Sequence, residues 1–156
     1  MIYESTSGIT KRAQRGFSLI EVLIALIIMS VGMLGIASLY VQSMQAGRTS
    51  LFRHNAVTLA GDVADRIRAN PTAIAAYAGA GADNSCVAMG ITCSNTQMAA
   101  HDILLWAQQA TDTLPSGNVA ITVDNTVLPP LYTIAITWNE PVGTQNYTIA
   151  TPIPGF

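Results

Sequence analysis

An uninterrupted apolar run from Phe17 to Val41 places the strongest constraint on how this chain can fold. Glu21 is its one ionisable residue. As a helix that rises about 1.5 Å per residue, the run would be about 37 Å long, enough to cross a bilayer core of about 30 Å with some tilt. Lys11, Arg12 and Arg15 precede the run. Because cytoplasmic flanks are rich in basic residues, we expect the N-terminal side to stay in the cytoplasm.

Glu21 is the exceptional residue in this run. A carboxylate inside a membrane segment is costly and indicates a functional role. The alternative is that Glu21 lies near one end of the segment and extends its side chain to the interface. The surrounding residues favour the functional role: basic residues precede Gly16-Phe17, Glu21 is the fifth residue counted from Phe17, and the apolar run follows without interruption. This arrangement resembles the class III signal of type IV prepilins.

The resemblance implies a processing site and an assembly contact. In that family a membrane peptidase cuts after the glycine, here Gly16, and methylates the new N-terminal amine, here that of Phe17. The acidic residue, here Glu21, pairs with the N-terminal amine of a neighbouring subunit during filament assembly. An amine and a carboxylate are each costly when unpaired in an apolar helix bundle, and pairing them offsets part of that cost. Residues 1–16 are thus expected to be a prepilin leader.

Beyond Val41 the sequence predicts that the same helix continues in amphipathic form. Apolar residues recur mostly at steps of three and four, which is typical of a helix with one buried face: Met44, Phe52, Ala56, Leu59, Val63 and Ile67. Asp62 and Arg66 form an i,i+4 pair with the acid first, the more favourable order. Asn70-Pro71 predicts the end of the helix. We therefore expect one helix over 17–69, with 17–41 in the membrane and 42–69 packed on a head domain of residues 70–156.

The head domain carries signals for a second helix and three strands. Ser94 and Gln97 have the spacing of a capping box, and Leu114-Pro115-Ser116-Gly117 predicts a turn that ends the helix. Three segments that alternate apolar with polar or small residues follow, at 119–123, 132–138 and 147–149. Their short connections favour an antiparallel meander. The expected fold class is α+β and type IV pilin-like: a long N-terminal helix, transmembrane in its first half, packed on a small head with a second helix and a three-stranded antiparallel sheet.

Two cysteines, Cys86 and Cys93, lie within the head. Their spacing is not that of a Cys-x-x-Cys redox motif, and no second pair exists for a zinc site. If the head is exported to an oxidising compartment, a structural disulfide between them is expected. Two free buried thiols are the alternative.

Charge and motif content argue against nucleic-acid binding and catalysis. No basic residue follows Arg68, so the C-terminal part is acidic and lacks the cations that replace phosphate counterions. His101-Asp102 is a weak candidate for a catalytic or metal site, because adjacent helical residues point in different directions and no third partner is apparent. We expect neither an enzyme nor a cofactor.

Several features of the head are similar to those of type IV pilus modification proteins of the PilV kind, which are minor pilins. They are Asn70-Pro71, Asp102, Trp106, the Leu114–Gly117 turn and Thr137-Trp138. The resemblance implies a minor pilin that takes part in type IV pilus assembly or modification. Its implied partners are major and minor pilins, prepilin peptidase and the inner-membrane assembly platform. The implied location is the bacterial inner membrane, with the head in the periplasm, and then the pilus fibre.

Two other interpretations stay open at this point. A pseudopilin of type II secretion shares the same N-terminal half. A signal-anchored periplasmic enzyme or binding module belongs to a different class of protein.

Overall fold

The computed structural model describes residues 16–153, without the side chain of Ile74. The elements in chain order are α1 (Leu19–Ala69), a 3₁₀ helix (Pro71–Ala78), α2 (Asn95–Thr113), β1 (Asn118–Asp124), β2 (Leu131–Glu140) and β3 (Gly143–Pro152). The predicted long helix, second helix and three strands are therefore all present. The predicted leader lies outside the described residues except for Gly16.

The chain divides into two compact units, Met1–Met44 and Gln45–Phe156, and α1 contributes to both. In the first unit every described side chain is exposed. Gly32 and Gly35 lie in open space, since a Cβ built on either would meet no atom within 4 Å. Packing among residues 16–153 therefore does not explain either glycine.

In the second unit α1 buries one face, as its periodicity predicted. The buried residues of this face are Ala56, Leu59, Ala60, Val63, Ala64 and Ile67. Ala60 and Ala64 are buried beside the predicted stripe. The prediction is wrong at Met44, which lies in the first unit and is 58% exposed.

The sheet has the order β1-β2-β3, and both pairings are antiparallel. Buried residues alternate along the central strand β2, where Tyr132, Ile134, Ile136 and Trp138 point to the core. These side chains share one hydrophobic core with the buried face of α1 and with Tyr77 and Trp106. The period of two in the sequence therefore reports the core face correctly.

The α2–β1 turn is fitted tightly against its neighbours. The amide of Leu114 donates to the carbonyl of Ala110 at 2.9 Å, and the carbonyl of Pro115 accepts from the amide of Asn139 at 2.8 Å. Gly117 is buried, and a Cβ at this position would clash with the carbonyl of Ala110. A glycine is required here because the backbone of the turn comes so close to α2.

Candidate assembly site and polar contacts of the head

The predicted processing and pairing residues lie together at the start of α1. Gly16 and Phe17 precede the helix, and Phe17 is 82% exposed. Glu21 lies in the first turn, where the carbonyl of Ser18 accepts from the amides of Glu21 at 3.1 Å and Val22 at 3.3 Å. The Glu21 carboxylate makes no hydrogen bond or ion pair with any other described residue, so it is free to meet a group from another chain.

The apolar run that begins at Phe17 makes α1 long and apolar enough to cross a membrane, judged by length and composition. Its large apolar side chains are all exposed within the first unit. A continuous apolar surface of this extent marks a membrane or protein interaction site. The surface therefore needs lipid or neighbouring helices to cover it.

In the second unit a buried carboxylate joins three elements. Asp102 of α2 accepts from Arg66 Nη1 at 2.9 Å and from the hydroxyl of Tyr77 at 3.2 Å. The Asp102 side chain is 5% exposed, whereas that of Arg66 is 47% exposed. A buried carboxylate needs donors for its oxygens, and here α1 and the 3₁₀ helix supply one each. The contact fixes how α1, the 3₁₀ helix and α2 meet.

A second carboxylate extends this network along α1. Asp62 accepts from the indole nitrogen of Trp106 at 3.1 Å, and its other contact is with Arg66 Nε at 3.5 Å. The rings of Trp106 and Tyr77 stack with centroids 5.8 Å apart. The predicted Asp62–Arg66 pair is thus confirmed, and it forms part of a larger cluster.

Tyr77 is the titrating group most affected by this packing. Burial raises the pKa of Tyr77 to about 12, and the neighbouring Asp102 carboxylate acts in the same direction. The hydroxyl also accepts from Asn70 Nδ2 at 3.2 Å, while the same amide donates to the carbonyl of Asn95 at 2.8 Å. Asn70 therefore links the end of α1 to the start of α2.

The loop before α2 contains a disulfide between Cys86 and Cys93. Ser94 and Gln97 form the capping box that their spacing predicted. His101 is buried, with Nδ1 lying 3.5 Å from an oxygen of Asp83, and neither ring nitrogen makes a hydrogen bond within the described residues. His101 and Asp102 point to different neighbours, as adjacent helical residues are expected to do.

Glu140 forms a separate contact between the end of β2 and α1. Its two carboxylate oxygens accept from the hydroxyl of Thr49 at 2.7 Å and from the indole nitrogen of Trp138 at 2.8 Å. The Thr49 hydrogen bond holds the pKa of Glu140 below its usual value. The Trp138 hydrogen bond and the charge of Arg53 lower this pKa further.

A groove of about 360 Å³ opens beside Glu140. Its floor and walls come from α1, the α2–β1 turn and the β2–β3 turn, and its lining is Gln45, Arg48, Thr49, Phe52, Pro115, Asn139, Glu140, Pro141 and Val142. The lining is mainly apolar, with charged groups at Arg48 and Glu140. Sequence reasoning did not find this groove, because its residues come from three separate stretches of the chain.

Sequence reasoning also missed the partners of Asp102 and Glu140. Asp102 was singled out by family resemblance and, with His101, as a weak catalytic or metal candidate, and Glu140 only contributed to the acidic charge of the C-terminal part. The available signal was weak: Asp102 precedes the apolar residue Ile103, and Glu140 follows Trp138 by two residues. Among residues 16–153 no group of three His, Cys, Asp or Glu side chains is arranged to hold a metal ion.

Two family models match the chain. One, described as type IV pilin Tt1218, matches residues 38–104. The other, described as the prokaryotic N-terminal methylation motif, matches residues 11–37. No curated protein and no solved structure matches the chain.

The matches cover the start of α1 and the Arg66–Asp102 contact. The methylation motif includes Gly16, Phe17 and Glu21, and the pilin model includes Arg66 and Asp102. They support a pilin processed by prepilin peptidase, fit its anchoring in the inner membrane, and imply interaction with other pilins. The pilin family suggests a structural protein. The architecture is the α+β, type IV pilin-like fold, and the two matches together support a type IV prepilin-like protein.

Proposed function

We propose that the protein is a minor pilin of the type IV pilus modification protein PilV kind. Prepilin peptidase cuts it after Gly16 and methylates the amine of Phe17. The mature chain then enters a type IV pilus, or the complex that starts one, through packing of α1 against the helices of other major and minor pilins. It waits for assembly in the inner membrane beside the assembly platform.

One observation carries this proposal: the apolar start of α1 is wholly exposed, and Glu21 is the one ionisable residue between Phe17 and Val41. A helix that only anchored a head in lipid would gain nothing from a carboxylate one turn inside its start. In a helix that packs against other chains, such a carboxylate can fix the axial position of the helix relative to its neighbours. The position of this segment next to Gly16 fits a role that begins with cleavage.

The proposed assembly contact is an ion pair between subunits. The Glu21 carboxylate of one subunit meets the methylated Phe17 amine of its neighbour. In a lone subunit the carboxylate reaches the interface, whereas in a packed filament it needs a cation. Pairing then stabilises one axial register of neighbouring helices over others.

The proposed roles of the segments follow their order in the chain. Residues 1–16 are the leader, 17–41 the membrane and assembly helix, 42–69 its amphipathic continuation, and 70–156 the periplasmic head. The N-terminus lies in the cytoplasm before processing, as the basic residues of the leader favour. The head supplies the surface that distinguishes this subunit from other pilins.

Processing and filament composition test the proposal. In cells with an active prepilin peptidase, intact mass and N-terminal sequencing are expected to give a mature chain that begins at N-methylated Phe17. Gly16→Val is expected to block the cut and leave membrane insertion intact. A native mature chain that still begins at Met1 would overturn the proposal.

The second arm is mass spectrometry of sheared, purified pili. A minor pilin is expected there in small amounts beside an abundant major pilin. If the processed chain is absent from pili and co-purifies with a type II secretion complex, the pilus assignment is wrong although the processing is right.

A further inference from the structure

We infer that the groove beside Glu140 in one copy of this chain receives the β1–β2 loop, residues 125–130, of a second copy. In this contact Arg48 pairs with Asp124, the last residue of β1, and Leu128 lies on the apolar lining of the groove. The inference rests on the pilus assembly of the proposed function. It goes beyond that function because it places copies of this subunit next to each other in the filament.

The groove offers a cation that has no partner in its own chain. Arg66 and Arg68 each form an ion pair with an aspartate, whereas Arg48 and Arg53 form no ion pair or hydrogen bond within residues 16–153. Arg48 lines the groove, and both oxygens of the neighbouring Glu140 already accept hydrogen bonds from the protein. A guanidinium without an acceptor suits a carboxylate, which it can bind through two parallel hydrogen bonds.

The rest of the groove suits an aliphatic side chain. Phe52, Pro115, Pro141 and Val142 give it an apolar wall. Its volume is about 360 Å³, whereas an apolar cavity of about 150 Å³ is enough for a benzene-sized group. The groove is therefore large enough for a leucine side chain together with part of the loop that carries it.

The β1–β2 loop carries the complementary groups. Leu128 is 92% exposed and Val127 is 43% exposed, so much of this apolar surface is uncovered. Asp124 Oδ1 accepts from the amide and the hydroxyl of Thr126 at 2.8 and 2.6 Å. Its Oδ2 makes no hydrogen bond or ion pair with any residue that the structure describes. The loop therefore presents a free carboxylate oxygen beside exposed aliphatic side chains.

The groove and the loop lie at opposite ends of the sheet. Thr49 of α1 donates to Glu140 at the end of β2, beside the groove. Arg68 of α1 donates to Thr151 at 2.9 Å, and Thr151 pairs with Tyr132 at the start of β2, beside the loop. Residues 49 and 68 are 19 residues apart, which is about 28 Å along a helix. The loop therefore cannot fill the groove of its own chain.

The separation of the two surfaces suits a contact that repeats from copy to copy. When two different surfaces of identical chains meet, the result is a ring or an open helical series. Copies that are stacked along α1, as in the proposed pilus, bring the loop end of one head to the groove end of the next. The contact therefore fits a second copy in the same filament.

A second exposed loop is the competing occupant of the groove. The disulfide between Cys86 and Cys93 closes it. It exposes three apolar side chains, those of Val87, Met89 and Ile91. No acidic residue lies between the two cysteines, so this loop would cover Arg48 without giving the charge a partner, which is costly. Charge complementarity therefore favours the β1–β2 loop.

Cross-linking in purified pili tests the contact. The full chain, with a photoreactive amino acid in place of the exposed Val142, is expressed together with a tagged copy of itself. Irradiation is expected to link residue 142 to residues 124–130 of the tagged copy, as mapped by mass spectrometry of the dimer purified through the tag. A link only to a different pilin, a link to the loop between Cys86 and Cys93, or no link would each overturn the inference.

Variants of the tagged copy test the charged and apolar parts of the contact separately. Asp124→Asn removes the charge and keeps an oxygen for Thr126, and Leu128→Ser changes an exposed side chain. Each is expected to lower the yield of the cross-linked dimer about tenfold, the loss of one charge-assisted hydrogen bond or one buried leucine. Asp112→Asn changes an exposed acid on α2 and is the matched control, with an unchanged yield. Yields that are equal for all three variants would overturn the inference.

Exchange of the two charges tests the pairing directly. Arg48→Asp in the copy that carries the photoreactive residue is expected to lower the yield with a tagged copy that has Asp124. Asp124→Arg in the tagged copy should then restore it. An equal loss in the single and the paired variants would overturn the inference.

Failure of the inference differs from failure of the proposed function. If the mature chain begins at Phe17 and is present in pili, but two copies are not linked, the inference alone fails. If the chain is not cut after Gly16 and is absent from pili, both fail, because the contact then has no filament in which to form.

Discussion

The carboxylate of Asp102 accepts a hydrogen bond from Arg66 at 2.9 Å and thereby joins the middle of α2 to the C-terminal end of α1. Tyr77 donates to the other oxygen of the same carboxylate. The contact lies where α2 packs against α1, so it helps to set the orientation of the two helices. It is therefore a structural contact that fixes how α1 meets α2 within the second unit.

Asp102→Ala is expected to lower the free energy of unfolding of the head by about 1–3 kcal/mol, because Tyr77 loses its acceptor and Arg66 loses a buried partner. Urea unfolding of the full chain in detergent measures this. Tryptophan fluorescence reports on the head, since both tryptophans, Trp106 and Trp138, are buried in it. Asp65→Ala removes the exposed partner of Arg68 and should cost at most about 1 kcal/mol. Equal costs for the two variants would contradict the assigned role of Asp102.

The free energy of unfolding of the head is expected to decrease as the pH is lowered, partly because Glu140 becomes protonated. Its pKa in the folded state lies below the ordinary value of 4.5, chiefly because of the Thr49 hydrogen bond. The contribution is therefore fully present above about pH 4.5 and is lost as the pH falls through the lowered folded-state pKa. Thr49→Val brings the folded-state pKa back toward the ordinary value, so it should cost more stability at neutral pH than in acid.

Urea unfolding of wild type and Thr49→Val at neutral and acid pH checks this difference. Thr58→Val changes an exposed threonine on the same helix and serves as the control. If Thr49→Val costs the same at both pH values, the hydrogen bond does not act through the ionised carboxylate.

The disulfide between Cys86 and Cys93 is expected to be complete in the native protein. Thiol labelling of the unfolded, non-reduced chain should therefore modify neither Cys86 nor Cys93. Replacing both by serine should lower the free energy of unfolding by about 2–3 kcal/mol, the chain-entropy estimate for so short a loop. Full labelling of both cysteines without reductant would reject the bond in the native protein.

Glu21 is expected to matter for assembly and not for processing. Glu21→Ala should leave membrane insertion and cleavage after Gly16 nearly normal, because the side chain reaches the interface in a lone subunit. It should reduce incorporation into pili, where the neighbouring N-terminal amine would be left without its partner. Quantitative mass spectrometry of purified pili measures incorporation.

Glu21→Gln separates charge from shape in the same assay. It keeps the size of the side chain and removes the charge, so it is expected to behave like Glu21→Ala. Incorporation at the wild-type level would show that hydrogen bonding or shape suffices. Failure of cleavage in Glu21→Ala would assign the residue to recognition by the peptidase.

The local order of residues was enough to predict the two α-helices and the three strands of this protein, although not the 3₁₀ helix Pro71–Ala78. The apolar run that starts at Phe17 predicts the first half of α1, the steps of three and four predict its buried face, and Asn70-Pro71 predicts its end. Alternation along Tyr132–Trp138 predicts the buried face of β2. These patterns are readable because a helix and a strand repeat over a few residues, so the side-chain direction follows from position in the element.

Only the tertiary structure decided which side chains meet. Thr49 and Glu140 are 91 residues apart in the sequence, and Arg66 and Asp102 are 36 apart. A periodic pattern gives the face on which a residue lies but carries no record of the residue across from it. The groove at Arg48 likewise exists because three separate stretches pack together. Contacts between distant stretches depend on how whole elements pack, and that is settled by the free energy of the folded core as a unit.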